Sequence, residues 1–451
     1  MSNIAVAKFG GTSVANHQAM LRCASIIKQK SASTLVVVSA PAGVTNHLVR
    51  LSQTGLNPQE QSETISAIRD IAFNIIQALS NKPAAQQIAE RVDGILADLT
   101  QRAASQSLQF DAQNADSILA CGEQISSQIF AQVLCELGVS AQSFDVRKVM
   151  KTNSLYSKAV VDIEQVASLA QRVLSPLLRE QVIVTQGFIG QDGLGHTTTL
   201  GRGGSDYSAA ILAEALGANN LEIWTDVEGI FTTDPRITAQ AKSIPEISFG
   251  EAAEMATFGA KILHPATLIP AMRKNIPVFV GSSKAPEKGG TKIQQHVQSN
   301  PTYRSIALRR EQSLVTVKSP EMLHASGFLA KVFSILAKHE LSVDLITTSE
   351  ISVAMTFDNP TSNAQALITH EVVKELEQLC EVTVEHGLSL VAVIGNGLHA
   401  AKELGSSIFE KINDFNIRLI CHGASANNIC FLVPENDANS VVSQLHNTLF
   451  D

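Results

Sequence analysis

An α/β protein is predicted by this sequence: a mainly parallel sheet covered by helices on both faces, followed by two small α+β modules. Three observations carry the prediction. Short, continuous apolar runs rich in Val and Ile alternate with long helical patterns through the first two thirds of the chain, the mark of strands buried on both faces. Between Ala285 and Pro301 the periodicity fades and Pro, Gly, Lys, Gln and Asn dominate, which predicts a linker. Beyond it, one stretch repeats another without gaps, which predicts a duplicated module.

The elements follow in order. Ile4 to Phe9 reads as a buried strand that breaks into Gly10-Gly11, with a helical pattern from Ala19 through Ile27 behind it. Leu35–Ser39, Val182–Thr185, Leu221–Trp224 and Ile276–Val280 are further strands, and Gln59 to Glu136 is largely helical. In the tail, Val332-Phe333, Leu341 to Leu345, Ser349, Val353 and Phe357 lie on Ile408-Phe409, Ile417 to Cys421, Ser425, Ile429 and Val433, and Leu314-Val315 lies on Leu390-Val391 at the same offset. Each copy reads as strand, helix, strand, strand, opening with a glycine-containing turn (Gly327, Gly405). Modules this small bury little alone and are expected to pack as a pair.

Composition narrows the function. At 451 residues the chain exceeds one ordinary core, so two or three domains are expected. Apolar content of 45% and charged content of 17% suit a globular protein. The formal charge of −8, with no basic run, offers no footprint for nucleic acid. The start carries no cationic region before a long apolar stretch, so no secretory signal is expected, nor does any window have the length of a membrane span. The six cysteines are scattered without a C-x-x-C pair and read as buried apolar residues in a reducing cytosol. A cytoplasmic protein is expected.

Three clusters carry chemistry. Lys8-Phe9-Gly10-Gly11-Thr12-Ser13 joins a strand end, a glycine turn and a helix start, where backbone amides and a lysine can meet a phosphate. For this segment alone a plain tight turn is the competing reading. Thr197 to Ser208 sets three glycines, Arg202 and several hydroxyls before a helix, with Ser205 and Asp206 at its expected N-cap. Arg202 offers a bidentate grip to a carboxylate or phosphate. Trp224 to Arg236 ends a strand in Thr225-Asp226 and runs into a polar loop, where such sheets place ligand groups. Asp226 and Asp234 could orient Mg²⁺ or a nucleotide, or could simply cap the loop. Lys261 follows a further glycine, and His264 reads as structural. No P-loop, protein-kinase or dinucleotide fingerprint is present, and no side-chain spacing marks a metal site.

Taken together, the Lys8–Ser13 start, the Thr198–Asp206 loop and the Thr225–Arg236 segment resemble the aspartate kinases of the amino-acid kinase superfamily, and the repeat resembles their paired ACT regulatory domains. The resemblance covers essentially the whole chain. Val146–Thr152 and Glu251–Pro265 bring it nearest to the lysine-sensitive monofunctional type, and no homoserine dehydrogenase region follows the repeat.

That resemblance implies an amino-acid kinase fold over 1–296, then ferredoxin-like ACT modules over 297–386 and 387–451, with interleaving of the boundaries allowed. It implies ATP-dependent phosphorylation of the L-aspartate β-carboxylate, the first step of lysine, threonine and methionine biosynthesis, inhibited by L-lysine. Lys8 and Asp206 would be catalytic. Thr45, Glu123, Arg202 and Ser205 would bind aspartate, and Lys8, Gly10, Gly11, Thr225, Asp226, Phe231, Arg236 and Lys261 the nucleotide, with Mg²⁺ held mainly by ATP. The effector site would include Met322, Ala325, Gly327, Phe328, Leu329, Ser342, Val343, Asp344, Ser349 and Glu350 at a subunit interface, in a dimer through the ACT domains or a tetramer. Position 231 is Phe where close relatives often carry Tyr, and Ala325 stands where they tend to have Ser. Only the first repeat has carboxylates at the strand–loop positions, Asp344 against Ile420 and Glu350 against Ala426. Two other readings remain, a glutamate-type amino-acid kinase and a catalytically inactive amino-acid sensor. The paired tail speaks against the first, and intact Lys8, Glu123, Arg202 and Asp226 against the second.

Overall fold

The computed structural model describes residues 3–30, 33–259, 263, 265–322, 326–358, 368–402 and 404–450. The chain divides into two compact units: Met1–Ile230 with Ser243–Phe249 and Lys261–Val297, and Phe231–Lys242 with Gly250–Ala260 and Gln298–Asp451.

The first unit holds strands β1 (Ile4–Phe9), β2 (Ser33–Val38), β3 (Ala141–Phe144), β4 (Val182–Gln186), β5 (Ile189–Gln191), β6 (Thr197–Thr199), β7 (Asn220–Thr225), β8 (Glu246–Ser248), β9 (Val278–Ser282) and β10 (Gly290–Gln294). Its helices are α1 (His17–Lys28), α2 (Val44–Leu51), α3 (Pro58–Gln77), α4 (Lys82–Leu108), α5 (Ala112–Leu119), α6 (Cys121–Glu136), α7 (Ile163–Leu169), α8 (Ser175–Leu178) and α9 (Gly204–Leu216); α10 (Phe249–Thr257) runs on into residues of the second unit, and α11 (Pro265–Arg273) follows in the first.

Among the described residues, eight strands form one sheet in the order β3-β4-β2-β1-β7-β9-β10-β8. Its pairs are parallel except β9 with β10. All six residues of β1 are buried, as expected for a central strand covered on both faces. Alternation along the strand puts Ala7 and Phe9 into a core shared with α1, α3, α4 and α6, where Phe9 and Phe130 rings lie 5.6 Å apart. Removing either ring would cost ~3–5 kcal/mol. Lys8 and Val6 point to the opposite face, against which α9 packs a run buried from Ser208 to Leu216. The chain leaves β1 toward β2 on one side and β7 toward β9 on the other, so the carboxyl ends of β1 and β7 flank a topological switch point.

The stretch expected to be a linker, 285–301, contains strand β10. Thr291 and Ile293 are buried while Lys292 is exposed, an alternation too short to stand out beside Gly289-Gly290.

In the second unit, β11 (Tyr303–Lys318), β12 (Ile346–Thr348), β13 (Ser352–Asp358), β14 (Glu381–Gly395), β15 (Leu419–His422) and β16 (Asn428–Pro434) make one antiparallel sheet, ordered β12-β13-β11-β14-β16-β15 among the described residues. Helices α12 (Phe328–Lys338), α13 (His370–Glu377), α14 (Leu404–Phe409) and α15 (Ala438–Leu449) cover two separate cores. The repeat is visible as β11-α12-β12-β13 and β14-α14-β15-β16. Gly327 caps α12 in the left-handed region, but Gly405 lies inside α14.

The boundaries differ from those expected. Val315 and Val317 of β11 pack with Val382 and Val384 of β14 in one core, and Ile306 with Val391 and Val393 in the other. Both long strands cross from module to module, β11 through a bulged register at Arg309–Leu314. Residues 231–242 and 250–260, expected in a continuous first domain to 296, group with the second unit. Their reason is hydrogen bonding: the Ile306 amide donates to the Thr232 carbonyl (2.7 Å), Thr232 Oγ1 lies 2.8 Å from His446 Nε2, and buried Glu251 accepts from Arg304 Nε (2.7 Å) and Asn396 (2.7 Å). No helix among the described residues is long and apolar enough to cross a membrane.

Candidate active site

The first unit gathers charge at the carboxyl end of β1. Lys8 Nζ lies 2.5 Å from Asp206 Oδ1, and the two side chains are only 10% and 16% exposed. Asp206 stands in the first turn of α9, where the helix dipole favours a negative charge. The N-cap of α9 is Gly203 at φ 73°, not Ser205 or Asp206 as expected; a left-handed glycine leads the chain into the helix and leaves both side chains to the first turn.

Gly10 takes a different part from the one expected. Its amide donates to the Trp224 carbonyl at 3.2 Å, tying β1 to β7, so it is spent within the protein and is not directed at a phosphate. A Cβ there would stand 3.5 Å from Lys8 Nζ; glycine keeps the space around the ammonium clear. Gly11 opens a 3-10 turn, Gly11–Val14, whose first amides have no partner inside the turn. Its carbonyl accepts from the Ala42 amide (3.0 Å), which sets the start of α2 beside it. Thr45 is exposed in the first turn of that helix.

Glu123 is 5% exposed in the first turn of α6 and accepts a 3.1 Å hydrogen bond from the Ala40 amide. Burial pushes its carboxyl up to about 8, opposed by that hydrogen bond and by the Lys8 charge. A carboxyl so placed takes up negative charge readily only when a cation arrives beside it.

Arg202 is exposed between Gly201 (φ 77°) and Gly203 (φ 73°). Two left-handed residues in three require glycine and turn the loop sharply around the arginine. Ser205 is half-buried and packs on Gly187, whose amide donates to the Val38 carbonyl at the end of β2 (2.9 Å). Across the switch point, Thr225 is half-buried and Asp226 exposed. The Thr225 carbonyl accepts from the Ser283 amide (2.8 Å) and hydroxyl (3.1 Å), and Ser283 Oγ lies 2.7 Å from Ser13 Oγ. This serine pair, which stitches β1, β7 and β9 together at the site, has no signal in the sequence beyond the hydroxyl of Ser13.

Phe231 and Arg236 belong to the second unit. Arg236 is exposed and grips Asp234 at 2.6 Å, which holds the Asp234 carboxyl below its usual range. Lys261, His264 and Ala325 lie outside the described residues. Of the expected effector positions, Met322, Phe328 and Val343 are half-buried against the core of the first module, and Gly327, Leu329, Ser342, Asp344, Ser349 and Glu350 are exposed. The Asp344 carboxylate pairs with Arg309, which also reaches Asp358 (3.5 Å) and donates to the Thr257 carbonyl at the end of α10 (3.0 Å). Ser349 Oγ lies 2.7 Å from Ser352 Oγ.

Residues 3–282 match the amino acid kinase family, and residues 391–449 match an ACT domain. The chain is 52% identical over 453 residues to the lysine-sensitive aspartokinase 3 of Escherichia coli (strain K12), covering 100% of both. It is 33% identical to chloroplastic aspartokinase 3 of Arabidopsis thaliana over 464 residues, covering 99% of this chain and 81% of that one. Its fold superposes on the crystal structure of E. coli aspartokinase III in complex with aspartate and ADP (R-state) with a TM-score of 0.91, and on that with lysine and aspartate (T-state) with 0.86, both over 100% of each chain at 52% identity. The mainly parallel sheet and the duplicated tail are therefore an amino acid kinase fold with ACT modules. The chain belongs to the amino acid kinase family and, within it, to the aspartokinases.

Proposed function

We infer that this enzyme transfers the γ-phosphoryl group of ATP to the β-carboxylate of L-aspartate, giving 4-phospho-L-aspartate, and that L-lysine inhibits it. The observation that carries the reading is the Lys8–Asp206 pair at the carboxyl end of β1, in a chain whose relatives include a lysine-sensitive aspartokinase and a structure holding aspartate and ADP.

The attacking carboxylate is ionised at neutral pH, so no general base is needed. The work left to the protein is to align two anions and to neutralise charge on the moving phosphoryl group. Lys8 supplies a mobile ammonium for that charge, with the Gly11 amide beside it, and Asp206 keeps Lys8 oriented until the nucleotide arrives. Glu123 receives the ammonium of aspartate and Arg202 its α-carboxylate, with Thr45 and Ser205 as hydroxyl partners. Thr225, Asp226, Phe231, Arg236 and Lys261 hold the nucleotide. Mg²⁺ would ride on the phosphates, with the exposed Asp226 as a carboxylate partner. When bound, it would offset the charge of the phosphates.

The two modules of the second unit serve as regulatory modules. Lysine binds the first, with Asp344 and Glu350 as its carboxylates, at an interface between chains of at least a dimer, and the enzyme works in the cytoplasm. An assay of ADP release tests the reading: turnover is expected with aspartate and not with glutamate, and lysine is expected to suppress it. Turnover with glutamate alone, or none with any amino acid, would overturn it.

A further inference from the structure

Asp116, on α5, is fully buried, and the hydrogen-bond partners of its carboxylate are two backbone amides and a hydroxyl, not a cation. Its Oδ1 and Oδ2 each accept from the Ser157 amide at 3.0 Å, Oδ2 accepts from the Thr199 amide at 2.7 Å, and Oδ1 from Thr199 Oγ1 at 2.9 Å. Burial raises its carboxyl above the usual range, against these hydrogen bonds. A carboxylate kept in such a place is costly unless its acceptors fix something.

What it fixes is the root of the glycine loop. Thr199 ends β6, two residues before Gly201, and its carbonyl accepts from the Ala159 amide at 2.9 Å. Ser157 is held at φ 69°, a conformation that non-glycine residues avoid unless their surroundings impose it. A Cβ on Gly201 would stand 3.1 Å from the Ser157 carbonyl oxygen. The carboxylate therefore clamps the 157 turn and the base of the 201–203 loop to each other and to α5. Helix α5 leads through Ala120 directly into α6, whose first turn carries Glu123.

We propose that Asp116 is a positioning residue that sets the distance between Arg202 and Glu123, the two charges that read the α-carboxylate and α-ammonium of an amino-acid substrate. The proposal rests on the assignment of those two residues to aspartate. Asp116 itself touches no substrate. Its carboxylate ties the loop of one reader to the helix corner of the other, so the spacing that selects an α-amino acid is built into one buried side chain.

The test compares Asp116→Asn, Thr199→Val and Arg202→Ala in steady-state kinetics with aspartate and ATP varied separately. Asparagine keeps the shape but turns two acceptors into one and presents its amide to a backbone donor. Asp116→Asn is expected to raise KM for aspartate about tenfold while KM for ATP stays within about twofold, and Thr199→Val, which removes one hydroxyl bond, to raise KM for aspartate about threefold. A general loss of structure would instead lower kcat with both KM values unmoved, or raise both together, and either result overturns the proposal. If Asp116→Asn does not fold, Thr199→Val decides: an unchanged KM for aspartate overturns the proposal. Arg202→Ala separates the two failures. If it leaves KM for aspartate unchanged, the substrate assignment is wrong; if it raises KM while the other variants do not, Asp116 is not the positioning residue.

Discussion

Lys8 Nζ and Asp206 Oδ1 meet at 2.5 Å across two elements, the carboxyl end of a central strand and the first turn of a helix whose N-cap is a left-handed glycine. The contact joins a charge that faces one side of the sheet to the only acidic group in the first turn of α9. Removing either partner leaves the other shielded from water without its counter-charge, which is strongly unfavourable. Lys8→Ala and Asp206→Asn are expected to lower kcat by about 10²–10³-fold, the scale of losing one preorganised charge at a transition state. Single-turnover measurement of ADP release checks this; retention of normal kcat in Lys8→Ala would remove Lys8 from the phosphate site.

With Glu123 as the proposed partner of the substrate ammonium, aspartate binding is expected to depend on pH. Its carboxyl, pushed up to about 8, holds a proton at neutral pH in the free enzyme, and a substrate ammonium beside it favours the ionised form. Binding near pH 7 is expected to release up to about one proton, and KM for aspartate to rise as pH falls below about 8. Calorimetry in buffers of different ionisation enthalpy reads the proton directly. For the free enzyme the sign is the reverse of the usual carboxylate: the folded form holds a proton that the unfolded chain loses above 4.5, so this group's contribution to stability declines as pH rises from 4.5 to about 8. Glu123→Gln should flatten that slope and abolish proton release.

Gly187→Ala tests the seat of Ser205. A Cβ at 187 would lie 2.7 Å from Ser205 Cβ and 2.8 Å from its Cα, with no room unless the start of α9 moves. A loss of stability of ~1–3 kcal/mol by denaturant titration is expected, with kcat/KM for aspartate down at least about tenfold. Normal kinetics would mean that α9 tolerates displacement and that Ser205 is not held for binding.

Asp344 is already paired. Arg309 occupies its carboxylate, so lysine binding through Asp344, as proposed, would exchange a guanidinium for an ammonium. Asp344→Ala is expected to raise the lysine concentration for half inhibition by at least about tenfold, the worth of a charge-assisted hydrogen bond. An unchanged inhibition curve would move the effector site elsewhere.

Local chemistry was legible in the sequence where residue types announce it. Lys8 before a glycine pair, Arg202 between glycines and Asp206 at a helix start could be read because anion cradles have a composition. The α/β alternation and the repeat were legible for the same reason: strands covered on both faces are continuously apolar, and a duplicated module repeats its pattern. Groups whose partners are distant in the chain were not. Asp116 reads as an ordinary polar position of a helix, and its partners lie 41 and 83 residues away. Glu251 looks like a surface carboxylate until Arg304 and Asn396 close on it from 53 and 145 residues further on. The Gly10 amide was assigned to a ligand because nothing local shows that the Trp224 carbonyl has claimed it.

The pairing of Thr232 with Ile306 and His446 also governs how the molecule can be cut. A fragment beginning at 298 would carry the whole antiparallel sheet, yet it would lack the two upstream segments that complete the same unit. The Ile306 amide, the buried Arg304 guanidinium and His446 would each lose a partner that sequence order places some 50 to 215 residues earlier. Recombinant production of the regulatory half as a stand-alone sensor therefore calls for grafting residues 231–242 and 250–260 onto it, because its natural termini are not the ends of its fold.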